Sequence, residues 1–460
     1  MKKEIILLLI LFVLTTFIRF DGLGFSTFVG DETKTIFLRK DQSIFDFLMD
    51  QRKGPVQFLI VWGMENITNS FNEFYLRLPF AILGVLVVFA FYYFLRYVLD
   101  LGFLASYLGA VFLSLNGIYI AFSRTAQYQM AYVFFGLMFL IFTHYFIKKN
   151  KLYFAFLSVL ALSLSFLSHY DAIFFTIPAI YLFREYWKKL IPILLFSGII
   201  SGSFYFLNIY YGYFEKNTIG YLEKRISGDG YENQNTFATI DLYNPLFMYS
   251  IILVVLSIYG FWVSEKKIKN YLIIWFVFAF IFLQLIMRTP GTHIHNYFVP
   301  LFIFSGIGLA RLCYKFKYIT YLSAIPLIVI FLIQLFVFVP RFNNGYPYKE
   351  SNFYGIKLEK INFNINLPQY GFVYDRSWRE IAEIMKSQKR VPNFYTNDNK
   401  VVSEFYLHGY YFSDLAPGFN PDFYIEINNP SKEDKRFDTS LGNYEVLSST
   451  EDFTIFKKVK

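Results

Sequence analysis

The residues of this chain with the most chemical potential fall at the ends of long apolar runs. Asp31 and Glu32 are adjacent acids that follow Gly30, shortly after the first such run. Facing a cleft, an acid pair supplies a general base or oxygen ligands for a divalent cation; in an open loop it is merely solvated, and spacing leaves both roles open. Arg52-Lys53-Gly54-Pro55 sets two cations ahead of a proline. Proline presets a first helical turn whose free N–H groups favour an anion, so this run suits a phosphate site or an anchor to lipid headgroups. Arg124, in Ser123-Arg124-Thr125-Ala126-Gln127-Tyr128-Gln129, suits a phosphate or acid partner and equally an interfacial anchor. His169 and Asp171 flank Tyr170 where two apolar runs meet, and a carboxylate there is costly without a partner. His293 and His295 follow Arg288; their i, i+2 spacing puts both imidazoles on one side of an extended segment, fit for a metal or a phosphate, or else for plain structural histidines. Tyr221, Glu223 and Arg225 fit a sugar-binding loop or an ordinary amphipathic one.

What positions these residues must be a bundle of membrane helices. Hydrophobic residues make up 55% of the chain and charged residues only 17%. Several apolar runs are long enough to cross about 30 Å of hydrocarbon. The expected fold is an α-helical polytopic membrane protein with about eleven transmembrane helices and a small C-terminal soluble α/β domain. Candidate spans are 4–20, 76–96, 103–121, 130–147, 152–168, 170–184, 190–210, 245–263, 270–287, 297–312 and 319–339. The net charge of +9 comes from short Lys/Arg clusters between spans, a pattern of membrane topology that gives no reason to invoke nucleic acid. A single cysteine, Cys313, excludes an intrachain disulfide and any Cys-based metal site. The first run lacks a small-x-small cleavage pattern and reads as an uncleaved span.

Loop charge decides whether the short apolar piece 55–67 crosses. If it lies on the surface, Arg96, Lys148, Lys188, Lys266 and Arg311 all share the side of Lys2 and Lys3, the cytoplasmic side. The expected topology therefore has an interfacial helix at 55–67, a cytoplasmic N-terminus and a C-terminal region outside the cytoplasm. Asp31, Lys53, Arg124, His169, Arg225 and His293 then lie on the outer side of a plasma-membrane protein. Two domains are expected: 1–345, the membrane part with its outer loops, and 346–460, an accessory α/β unit. In the latter, 372–375, 393–396, 422–427, 445–447 and 453–456 read as strands, and Ser377-x-x-Glu380 has capping-box spacing at a helix start.

Several of these runs, in this order, resemble the multi-spanning glycosyltransferases that use polyprenyl-phosphate sugars, the protein O-mannosyltransferase and aminoarabinose transferase family. They are Gly30-Asp31-Glu32 after the first span, Lys53-Gly54-Pro55, Glu73-x-x-x-Arg77-Leu78-Pro79, Ser123-Arg124, and His295-Asn296-Tyr297-Phe298-Val299-Pro300. The resemblance spans residues 4 to 312 and implies transfer of a sugar, a hexose by preference, from a polyprenyl-phosphate carrier to an acceptor outside the cytoplasm. Asp31 matches the family's catalytic acid, with Glu32 beside it. Lys53 and Arg124 match motif positions and become candidates to hold the donor phosphate, joined by Arg288 and His293 on side and chemistry. Gln129, His169, Asp171, Tyr221, Arg225 and His295 become candidates to bind sugar or acceptor. Relatives often carry an acid just after the Ser-Arg pair; Tyr128-Gln129 stands there instead, which puts metal dependence in doubt. If a divalent ion is used, Glu32 with His169 or His293 is the expected ligand set. The alternative, a multi-spanning transporter, is disfavoured by span centres nearly free of charge and halves that do not resemble each other.

Overall fold

The computed structural model describes residues 2–37, 42–228, 235–287, 290–360, 370–388, 393–412, 421–430, 436–439 and 443–459. Arg288 lies outside the described residues. The chain opens with helix α1 (Lys2–Phe20), a single-turn α2 (Gly30–Thr33), and α3 (Ile44–Met49). Next come α4 (Val56–Thr68), α5 (Glu73–Tyr93), α6 (Phe103–Leu115) and α7 (Gly117–Ser123). Helices α8 (Gln129–Lys149), α9 (Leu152–Ser168), α10 (Ile173–Leu182) and α11 (Trp187–Tyr210) follow. Two short helices, α12 (Gly220–Ser227) and α13 (Thr236–Tyr243), lead to α14 (Met248–Val263), α15 (Lys266–Ile281), α16 (His295–Lys315), α17 (Lys317–Leu322) and α18 (Ala324–Phe338).

Each candidate span coincides with a helix or a helix pair. Among the described residues, six helical segments are long and apolar enough to cross a membrane, or up to eight if each of two bent pairs counts as one span. The chain is therefore a multi-pass membrane protein, and the expected count of about eleven goes beyond what length and apolarity alone support. Large apolar side chains such as Leu195, Phe196 and Ile199 on α11 are more than half exposed, as a lipid-facing surface requires. Helix α4, at 13 residues, spans only about 20 Å and is too short to cross.

Local sequence explains the breaks. Helices α6 and α7 bend by 66° at Asn116. There the Asn116 carboxamide accepts from the Ile118 and Tyr119 N–H groups, and Gly117 N–H donates to Asn244. A Cβ on Gly117 would sit 1.8 Å from the Tyr243 carbonyl, so only glycine admits this close approach. The packing of α14 on α16 uses the same device: a Cβ on Gly260 would lie 1.9 Å from the Phe304 carbonyl.

After α18 a two-stranded hairpin, β1 (Ser351–Phe353) and β2 (Ile356–Leu358), precedes a mixed sheet. The sheet is built from β3 (Asn393–Thr396), β4 (Tyr411–Phe412), β5 (Phe423–Ile427), β6 (Tyr444–Ser449) and β7 (Phe453–Lys458), in the order β4-β3-β5-β7-β6. Strand β3 pairs in parallel with β4 and β5, while β5, β7 and β6 are antiparallel neighbours. Helices α19 (Trp378–Lys386) and α20 (Lys400–Tyr406) cover it, and Trp378, Ile381, Met385, Phe394, Ile425 and Phe453 form its core.

Two local expectations fail here. Residues 372–375 form no strand, because their backbone bonds elsewhere: Ser26 Oγ donates to the Phe372 carbonyl (3.1 Å) and accepts from Tyr374 N–H (3.0 Å). Helix α19 starts where expected, but Ser377 takes a left-handed φ of 57° and its side chain caps nothing. Its N–H goes to the Asp375 carboxylate instead (3.2 Å), so a turn built on Asp375 replaces the capping box.

Candidate active site

The site rests on a buried ion pair. Glu32 is fully buried in α2, and its two oxygens accept four hydrogen bonds. Oε1 takes Arg77 Nε (2.8 Å) and Ala126 N–H (2.9 Å); Oε2 takes Arg77 Nη2 (2.8 Å) and Val29 N–H (3.0 Å). Arg77 spends its remaining donors on the carbonyls of Leu23, Ser26 and Thr27 (2.9–3.1 Å). A guanidinium has five N–H donors, and all are used. The loop after α1 is thereby wrapped around one side chain of α5. One turn earlier on α5, Glu73 accepts from Tyr406 Oη (2.6 Å) and faces Arg379 (3.6 Å), tying α5 to the C-terminal unit. The Glu73-x-x-x-Arg77 spacing thus places two anchors on one helix face.

Arg124 is a second anchor. Its Nη1 donates to the Ile18 and Asp21 carbonyls (both 2.9 Å) and its Nη2 to the Gly22 carbonyl (3.2 Å), so it caps the C-terminal end of α1. Buried and so engaged, it does not line the cavity, which corrects its expected role at a phosphate. Glu32 is corrected likewise, because no lone pair remains to act as a base or to bind a metal.

With Glu32 turned inward, its neighbour Asp31 projects into a cavity of roughly 260 Å³ and is the one carboxylate among its lining residues. Asp31 Oδ1 accepts from Lys34 Nζ (3.0 Å) and Oδ2 from Tyr370 Oη (3.0 Å), with Lys53 Nζ 4.0 Å away. Burial alone would raise its pKa, but the charges of Lys53, Lys34 and Arg52 outweigh that and hold the carboxyl well below its usual range. Asp31 is therefore ionised at physiological pH.

The opposing wall is cationic. Lys53 Nζ donates to Gln127 (3.2 Å) and lies 4.4 Å from the centre of the Tyr128 ring. Arg52 stacks on Tyr221 at 3.6 Å, with Arg225 5.1 Å from the same ring. Burial pushes Lys53 down to about 8, with Asp31 opposing and Arg52, Lys34 and Arg225 adding to the fall. Gly54 lets these cations reach the site, since a Cβ there would lie 2.0 Å from the Leu167 carbonyl at the end of α9. Among the described residues, the buried Arg52 Nε, Gln127 Nε2 and Gln129 Oε1 have no hydrogen-bond partner. Unpaired buried polar atoms are costly, and a polar anionic ligand in the cavity would satisfy them.

Beneath this wall lies a compact imidazole–carboxylate cluster. Asp171 Oδ2 meets His293 Nδ1 (2.6 Å) and receives Asn296 Nδ2 (3.0 Å), while Oδ1 lies 3.1 Å from His169 Nδ1. The His169 ring stacks on Tyr128 with centroids 4.0 Å apart. Burial lowers its pKa to about 3 against the pull of Asp171, so the ring is neutral. Donor atoms of His169, Asp171 and His293 all lie within 4.8 Å of one another. Two imidazole nitrogens and one carboxylate oxygen fit a zinc-like divalent ion, which would replace the His293–Asp171 hydrogen bond and the Asp171 N–H that His169 Nδ1 accepts. The expected ligand set is thus revised: Asp171 stands where Glu32 was expected. The His-x-His pair also parts. A 3₁₀ turn over Gly291–Ile294 leads into α16, sending His293 to the cavity and His295 into the core, against Tyr132 and the Thr292 carbonyl.

Of the sequence candidates, Asp31, Lys53, Gln129, His169, Tyr221, Arg225 and His293 line one cavity, with Asp171 directly behind them. Glu32, Arg124 and His295 support it from outside. Among the charged and aromatic lining residues, Lys34 and Tyr370 went unnoticed in the sequence. Lys34 carries a faint signal, one helical turn beyond Asp31. Tyr370 carries none, because it enters from 339 positions away on a strap clamped by Tyr370 N–H to Tyr243 Oη (2.9 Å) and by Gly371, at φ 74°.

Residues 52–202 match the family model for dolichyl-phosphate-mannose-protein mannosyltransferase, about a third of the chain. No curated protein sequence matches. Along its whole length the chain is similar in structure to ArnT from Cupriavidus metallidurans. Superposition on the form bound to undecaprenyl phosphate gives a TM-score of 0.62 at 11% identity, covering 99% of this chain and 98% of that one. The apo form gives 0.61 at 11% identity, with 98% of each chain covered. The chain is thus a multi-pass membrane protein with the fold of ArnT, and the segment 52–202 carries the mannosyltransferase family match. The likeness runs through the C-terminal unit as well as the helical bundle.

The two adjacent acids should separate on substitution. Glu32→Gln removes charge and acceptor capacity opposite a buried guanidinium, at a cost of about 3–5 kcal/mol. Asp31→Asn leaves that lattice whole. Thermal unfolding of detergent-purified protein should show a large fall in midpoint or lost monodispersity for Glu32→Gln and near-wild-type behaviour for Asp31→Asn. Equal behaviour of the two would refute the division of labour.

Proposed function

We propose that the protein moves a sugar, a hexose by preference, from a polyprenyl-phosphate carrier to an acceptor hydroxyl outside the cytoplasm, with Asp31 as general base. The observation that carries this is one ionised carboxylate facing Arg52, Lys53 and Arg225 in a single cavity. The undecaprenyl phosphate bound to the similar ArnT supports a carrier of that class. On this reading the acceptor oxygen attacks the anomeric carbon while Asp31 takes its proton. The bond from that carbon to the phosphate oxygen breaks, and its electron pair leaves with the polyprenyl phosphate. Arg52, Lys53 and Arg225 meet the charge gathering on the departing phosphate, a preorganised electrostatic contribution. Since Asp31 is the only carboxylate among the described residues lining the cavity, a single displacement with inversion at the anomeric carbon is the favoured course. Gln129, Tyr221, His169 and His293 are placed to hydrogen-bond or stack against the sugar. A divalent ion held by His169, Asp171 and His293, if the protein uses one, would supply Lewis-acid stabilisation of phosphate charge.

The same reading puts the N-terminus in the cytoplasm, the cavity on the outer side of the plasma membrane, and the boundary between membrane domain and accessory unit near residue 345. The Lys/Arg clusters of the inner loops support that orientation.

Two outcomes test the mechanism. Asp31→Asn should abolish sugar transfer from a polyprenyl-phosphate hexose while the protein stays folded; substantial residual turnover in the purified variant removes Asp31 as the base. The second is a pH profile. Lys53 has a lowered pKa, so it is charged below about pH 8 and neutral above it. kcat/KM for the donor, which reports the free enzyme, should fall as pH rises through about 8. Lys53→Arg keeps its charge and should carry that basic limb upward. A wild-type profile flat to pH 10 would contradict the assignment.

A further inference from the structure

Asp31 faces two ways. On one side lies the cationic cavity described above. On the other, Asp31, Lys34, Arg52 and Lys53 also line a second cavity of roughly 190 Å³, which in turn shares Lys34, Asp50 and Gln51 with a third of roughly 400 Å³. The three form a row that passes Asp31 and ends against α20 of the C-terminal unit.

The chemistry changes along the row. The excess of positive charge falls along it: Lys and Arg outnumber carboxylates by four to one in the first cavity and three to two in the second, and are outnumbered one to two in the third. Beyond Asp31 the walls are rich in carboxamides: Gln51, Gln57 and Asn217 in the second cavity, Gln42 and Gln51 in the third. Asp50 is neutralised by Lys216 (3.0 Å) and held by Asn217 Nδ2 (3.1 Å). Phe47 and Phe405 supply apolar surface in the third cavity, with Glu404 and His408 at its rim. Gln57 is only 1% exposed, lines the second cavity, and its Oε1 has no hydrogen-bond partner among the described residues. A buried acceptor left open beside a cavity points to a donor that comes from a ligand.

We propose that these two cavities are the acceptor site and that the acceptor is a neutral glycan chain. Carboxamides offer paired donors and acceptors to ring hydroxyls, and aromatic side chains cover the apolar faces of sugar rings. At the far end, where Asp50 and Glu404 outnumber Lys34, an anionic acceptor is disfavoured. A peptide is the weaker candidate, because extended peptides commonly add to a strand edge, and none of the lining residues belongs to a strand. A base between a phosphate pocket and a hydroxyl pocket is also what direct displacement requires. The inference rests on the proposed transferase reading and assigns the C-terminal unit a task, since Val401, Glu404, Phe405 and His408 complete the far wall.

The test uses full-length protein, a polyprenyl-phosphate hexose donor, and two acceptor probes: a neutral mannotetraose and a Ser/Thr-rich decapeptide. Release of hexose to water in the absence of acceptor reports the donor side alone. Wild type should elongate mannotetraose. Gln57→Leu, a near-isosteric change, and Phe405→Ala, at the partly exposed wall, should each raise KM for mannotetraose at least tenfold while leaving hydrolysis of the donor unchanged. Unchanged KM in both variants, transfer to the decapeptide alone, or transfer to neither probe by an enzyme that hydrolyses donor, would overturn the glycan site. Wild type that releases no sugar from the donor would instead sink the transferase reading itself.

Discussion

Everything around the cavity depends on how Arg77 is satisfied. A guanidinium buried at the head of a membrane helix is tolerable only with a counter-charge and a full set of acceptors. Glu32 and three loop carbonyls provide them, and in doing so fix the loop after α1 to the bundle. Two adjacent acids on a single helical turn cannot both point inward. Once Glu32 is committed to Arg77, Asp31 is turned toward the cavity. The carboxylate that faces the cavity is thus positioned by the buried one beside it.

Charge is then sorted around Asp31. Its ionised state follows from nearby cations rather than from solvent; Lys53 packs on Tyr128 and Arg52 on Tyr221, and the buried Arg52 Nε has no acceptor among the described residues. Such a wall attracts phosphate and strengthens its hold in a medium of low dielectric constant. The C-terminal unit belongs to this arrangement. Tyr370 reaches Asp31, Tyr406 reaches Glu73, and the strap between α18 and α19 lies against Ser26 and Ala121. The unit read from the sequence as accessory is bound to the loop after α1 and to the head of α5.

The sequence revealed the bundle well, because long apolar runs and loop charge are one-dimensional signals: all the candidate spans are helical, and the broken span at Asn116 ran through one of them. It also revealed which loops carry the site. Residue type alone could not tell a working side chain from a supporting one. Glu32, Arg124 and His295 have the chemistry of active groups, and each turned out to satisfy buried backbone or core partners. The difference lies in where each side chain points, which the three-dimensional hydrogen-bond pattern decides. Ser377 makes the same point locally, since Asp375 outcompeted it for the helix start. Tyr370 was invisible because its role exists only after a contact across most of the chain.

On the proposed function the carrier phosphate binds in the cationic cavity beside Asp31. A cryo-electron microscopy structure of the purified protein with a polyprenyl phosphate measures this directly. The phosphate oxygens should lie within about 3 Å of Lys53 Nζ and an Arg52 nitrogen, on the same side as Asp31. A phosphate seated elsewhere, at Arg124 or among the lysines of the opposite face, with the Asp31 cavity left to solvent, would contradict it.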